Sequence, residues 1–127
     1  MRRIYQLPLF FGLLFFGCKH SKIYPNGPFI GKVVSHICSY YVIQLQSGNM
    51  DPSLYLKTWT PGNGGGTFHN VFAATNYCYL DSLHLYQNDA IEFYLSSDTT
   101  AQTCETCQVF EPAAPSVSNY IKVTKVN

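Results

Sequence analysis

The sequence predicts an all-β domain, with a small five-stranded barrel as its architecture. Three observations carry that expectation. Runs rich in Val, Ile and Tyr alternate apolar with polar residues. Clusters of Gly, Pro, Asn and Asp separate those runs, and such residues set the backbone angles that turns need. No heptad pattern and no internal repeat runs through the chain. At 127 residues there is room for one domain and hardly for two.

The elements follow in chain order from Ile30. "IGKVVSHICSYYVIQLQ" places Val33 and Ile37 on one parity, and Tyr41, Ile43 and Leu45 likewise share one. Its length, with small Ser39 at the middle, predicts one long strand bent by a bulge. "SGNMDP" is turn chemistry. "SLYLKTWT" alternates as a second strand, and "PGNGGG" reads as a hairpin loop before a third, "TFHNVFAAT". "LDSLHLYQND" predicts one short helical turn capped by Asp81 or Ser82. "DAIEFYLS" is the fourth strand, with Ile91, Phe93 and Leu95 on one side. Residues 97–118 are a long polar loop, and "NYIKVTKV" closes the domain as the fifth strand.

Ahead of these elements stands a leader in three parts. Arg2 and Arg3 form a basic start, Leu7 to Phe16 an apolar run of about ten residues, and Gly17–Cys18 a processing site, which is the layout of an export signal. The apolar run falls short of the roughly 20 residues that span a bilayer. Residues 1–17 are therefore expected to be a signal peptide, residues 18–29 a lipidated Cys18 with a flexible tether, and residues 30–127 the β-domain. "FFGC" (15–18) resembles the lipobox of bacterial lipoproteins, with Phe15 standing where Leu is usual and Phe16 where a small residue is usual. The resemblance covers the first 18 residues. It implies a diacylglycerol on the Cys18 thiol, cleavage before Cys18, and attachment to a membrane of the cell envelope, on its periplasmic or outer side.

The order of strands, with a helical element between the third and fourth, resembles the OB-fold, a five-stranded Greek-key barrel. An immunoglobulin-like sandwich is the alternative, but it needs about seven strands.

Charge narrows the partners. The eight basic residues include Arg2 and Arg3, so the chain beyond the leader carries six lysines against seven acidic residues and no arginine. A chain that neutralises phosphates needs a basic patch, and none is visible, so nucleic acid is not expected as a partner.

Five cysteines leave one odd thiol in an exported chain. With Cys18 assigned to lipid, Cys38, Cys78, Cys104 and Cys107 form an even set suited to disulfides in an oxidising compartment. Their connectivity is open among three arrangements. "TCETC" (103–107) also fits a redox pair, and the four thiols together fit a zinc site. Widely spaced Cys38 and Cys78 disfavour zinc, which draws on close pairs.

Other chemistry has little to rest on. His36, His69 and His84 are isolated and lack metal-ligand spacing. "GNGGG" (62–66) lacks the Lys-Ser/Thr ending of a phosphate loop. No GxSxG motif occurs, and Asp81, Asp89 and Glu92 show no signature spacing. No catalytic residue, metal or cofactor is expected. In "LYLKTWT", Leu54 and Leu56 share one parity while Tyr55, Lys57 and Trp59 share the other. With the leucines inward, Tyr55, Lys57 and Trp59 form a candidate binding face on the second strand, the position OB-folds use for oligosaccharides and oligonucleotides. The expected function is a non-enzymatic binding module for a glycan or an envelope protein. A structural envelope protein and a redox or metal protein using Cys104 and Cys107 are the alternatives.

Overall fold

The computed structural model describes residues 27–62, 64–105, 107 and 113–127. The expected signal peptide, Cys18 and most of the tether lie outside the described residues.

The domain is all-β, as its alternating runs predict. The strands are β1 (Phe29–Ile37), β2 (Tyr40–Ser47), β3 (Leu56–Trp59), β4 (Phe68–Ala74), β5 (Ala90–Leu95), β6 (Ser118–Asn119) and β7 (Ile121–Val126). One helix, α1 (Tyr77–Ser82), links β4 to β5. The strands form a single sheet in the order β3-β4-β2-β1-β5-β7, with β6 pairing β4 in parallel.

Two features correct the sequence expectation. Among the described residues the strand count is seven rather than five, and the sheet is not closed into a barrel. Both extra strands come from breaks that alternation does not reveal. The long first run is a hairpin: Cys38 and Ser39 turn the chain, and Ile37 pairs with Tyr40. Cys38 takes a positive φ of 33°, a region where Gly, Asn or Asp would have flagged a turn. The last run breaks at Tyr120 into β6, which pairs β4, and β7, which pairs β5. The single sheet also departs from a sandwich, which packs two.

The sheet buries residues on both faces. One face carries the main core of Phe29, Val33, Tyr41, Ile43, Phe72, Phe93 and Ile121, closed by Leu80 of α1 and by Leu85. The other carries a smaller cluster of Val34, Tyr40, Val42, Val71 and Ala73. Central β2 is therefore buried from Tyr40 through Ile43, adjacent residues pointing to opposite clusters. Gly31 is required where β1 crosses β5, since a Cβ there would meet Ile43 Cγ2 at 2.7 Å and Phe93 Cε1 at 2.9 Å.

The C-terminal segment is held along one edge by two different means. Ala73 N–H donates to Val117 O at 2.9 Å and Thr75 N–H to Asn119 O at 3.2 Å, both backbone to backbone. Beyond them α1 takes over with side chains. Asn76 Nδ2 donates to Ile121 O (2.7 Å) and Oδ1 accepts from Ile121 N–H (3.2 Å). Tyr79 OH donates to Val123 O (3.2 Å) and accepts from Val123 N–H (3.1 Å). The two side chains thus act as a substitute strand for β7, and Asn76, only 8% exposed, has its amide satisfied.

Candidate functional site

Both disulfides converge on the loop between β5 and β6. Cys78 of α1 bonds Cys104, with Cα atoms 5.6 Å apart, and Cys38 of the β1–β2 turn bonds Cys107, with Cα atoms 5.3 Å apart. All four cysteines expected to be oxidised are paired. The two members of the CxxC go to separate partners rather than to each other.

The disulfide at Cys104 holds residues 96–104 beside α1 and leaves a cavity of about 590 Å³. Local bonds brace the wall. Ser96 N–H donates to Tyr120 O at 2.8 Å, and Ser96 Oγ accepts from Asp98 N–H at 3.1 Å. Asp98 Oδ1 accepts from the N–H and hydroxyl of Thr100, which hold its carboxyl below the usual carboxylate value. Gln102 Oε1 accepts from Cys78 N–H at 2.9 Å and its Nε2 donates to Thr100 O at 3.0 Å, tying the loop to the first turn of α1.

A second constellation sits at the other end of α1. Tyr41 OH donates to Asp81 Oδ1 at 2.6 Å, and His36 Nε2 lies 3.3 Å from the same oxygen. The His36 and Tyr41 rings stack at 3.9 Å and 6°. Tyr41 is 1% exposed. Its burial, and then the bond and charge of Asp81, push its phenol above the ordinary value near 10. His36 and Asp81 are well exposed, so the trio staples α1 to the β1–β2 hairpin. Sequence reading placed Asp81 as a helix cap and His36 as isolated; 40 residues separate Tyr41 from Asp81, and only the fold joins them.

The expected face on β3 is redistributed. Tyr55 lies outside the strand, half-buried against the main core. Lys57 is exposed. Trp59 is half-buried on the smaller cluster, with its ring 6.0 Å from that of Phe68. Leu56 packs on that same cluster although its parity is opposite to that of Trp59. The cause lies in the partner strand: Asn70 has φ 55°, which breaks β4's alternation between Phe68 and Val71. The structure therefore brings Lys57 and Trp59 to one edge strand and separates Tyr55 from them. Trp59 and Phe68 border a groove of about 200 Å³ that also reaches Ile37, Tyr40 and Gln87.

Among the described residues no group of three or more His, Cys, Asp or Glu is placed to hold a metal ion. No helix among them is long and apolar enough to cross a membrane. No protein-family model, curated protein or solved structure matches the chain.

Proposed function

We propose that the chain is an exported, lipid-anchored protein of the bacterial envelope whose β-domain is a non-enzymatic binding module. The observation that carries this reading is the cysteine balance. Four of the five cysteines pair within the domain, which leaves Cys18 alone, in the lipobox-like "FFGC". Two or three acyl chains on that residue hold a protein firmly at a membrane, since each buried CH2 contributes about 0.8 kcal/mol.

An OB-like arrangement is supported by the antiparallel run β1-β2-β4, the β1–β5 and β5–β7 pairs, the parallel β4–β6 contact, and α1 between β4 and β5. In that arrangement the β2–β4 side carries ligand. The Trp59–Phe68 groove lies where β3, the edge strand that also carries Lys57, pairs with β4. A half-buried indole suits the apolar face of a sugar or an exposed side chain of an envelope protein.

Intact-mass analysis of the membrane fraction tests the anchor. Wild-type chain is expected to begin at Cys18 and carry diacylglycerol mass, and Cys18→Ser to accumulate as unprocessed precursor. A wild-type protein free of acyl mass would sink the lipoprotein reading.

A further inference from the structure

The cavity between α1 and residues 96–104 is separate from the Trp59 groove, and the geometry points to it as a binding site for a small, neutral, polyhydroxylated ligand such as a disaccharide end. Its volume of about 590 Å³ falls in the range of small-molecule sites. Its walls are already built. The Cys78–Cys104 bond, the Gln102 bridge to Cys78 and the Asp98–Thr100 turn fix the loop without a ligand. A site of that kind orders little on binding, so most of the contact energy is retained as affinity.

The lining selects the chemistry. Asn76 and Gln102 are spent on structural bonds, which leaves the hydroxyls of Ser96 and Thr103, the second carboxylate oxygen of Asp98 and the Lys122 ammonium to meet a ligand. Hydroxyls both donate and accept, the carboxylate only accepts and the ammonium only donates, a set matched by an array of ligand hydroxyls. One carboxylate and one ammonium leave the lining without net charge. A phosphorylated ligand would find one cation and a repelling anion, and a divalent cation would find one carboxylate. Ala101, the disulfide and the Tyr79 ring supply the apolar contact that the C–H face of a sugar ring needs.

The test is calorimetric titration of the full chain, solubilised in a sugar-free polyoxyethylene detergent, with cellobiose, N,N′-diacetylchitobiose, glucose 6-phosphate and glycylglycine. At least one neutral disaccharide is expected to bind saturably. Ala101→Trp, which fills the cavity from an exposed loop position, should weaken that binding by at least about tenfold, or about 1.4 kcal/mol. Thr103→Tyr, obstructing from a second exposed position, should do the same. Saturable binding that persists in Trp59→Ala belongs to this site rather than to the β3 groove. Melting curves of the variants matching wild type assign any loss to the cavity; where one variant melts early, the other decides. The proposal is overturned if neither neutral disaccharide binds, if only the phosphate or the zwitterion binds, if both cavity variants bind like wild type, or if Trp59→Ala abolishes the binding.

Discussion

Removing the disulfides singly and together measures how far the domain depends on its pinned loop. The Cys78–Cys104 bond spans a sequence separation of 26 and Cys38–Cys107 one of 69. Loop-closure entropy in the unfolded chain makes the inner bond worth about 3.5 kcal/mol. The bonds are nested, so with the inner one intact the outer loop is shortened and contributes about 4 kcal/mol. Cys78→Ala/Cys104→Ala and Cys38→Ala/Cys107→Ala should each stay folded and melt about 15–30 °C lower, taking roughly 4–8 °C per kcal/mol for a domain of about 100 residues. Losing both removes about 7–8 kcal/mol, a sum that rivals the whole stability of about 5–15 kcal/mol expected for such a domain. The quadruple Ala variant should therefore be largely unfolded at 37 °C. Circular dichroism melts and urea titrations of the four proteins give the comparison. A quadruple variant that melts within a few degrees of wild type would refute the argument, because the sheet and its core would then suffice alone.

Two further outcomes follow from single side chains. The raised phenol pKa of Tyr41 means that its contribution is complete below the unfolded value near 10 and is lost as pH rises past it, since only the unfolded chain then ionises at that residue. Wild-type stability should fall above pH 10 by up to about 1.4 kcal/mol per pH unit on this account, while Tyr41→Phe loses about 1 kcal/mol at neutral pH and lacks that part of the slope; equal alkaline slopes in urea titrations would contradict it. Trp59→Ala should cost about 2 kcal/mol, between the roughly 0.5 of a surface change and the roughly 3–5 of a fully buried aromatic, and a melt showing either extreme would displace Trp59 from its half-buried groove.

Sequence patterning located β5 and β7 well, because each carries a local alternation, and located β4 by the Gly-rich loop that precedes it. It missed the β1–β2 turn since Cys38 carries no turn signature of its own; the positive φ there is held in a structure whose disulfide reaches residue 107. The helical element was expected to start at Asp81 or Ser82, whereas α1 begins at Tyr77 behind Asn76 and ends at Ser82. The sequence pattern assigns Asn76 no role, and its value comes from a strand 45 residues away. The candidate face failed at Tyr55 for a related reason. Parity predicts sides only while alternation holds in both paired strands, and Asn70 breaks it in β4. The cavity beside α1 had no local signal, because its walls come from α1 with Asn76 before it, the loop after β5, and β7.

The side-chain cover over β7 also ties protein quality control to oxidation. Cys78 lies between Asn76 and Tyr79, the two residues that occupy the backbone groups of Ile121 and Val123. A chain whose Cys78 is still reduced has no disulfide holding that helix, and a helix that lifts bares a strand margin able to recruit another chain. Once Cys78 is bonded to Cys104 the helix is tethered and the margin stays shut. The interval before oxidation is therefore the period in which copies of this protein are most exposed to mutual entanglement, and closing the inner bond ends it.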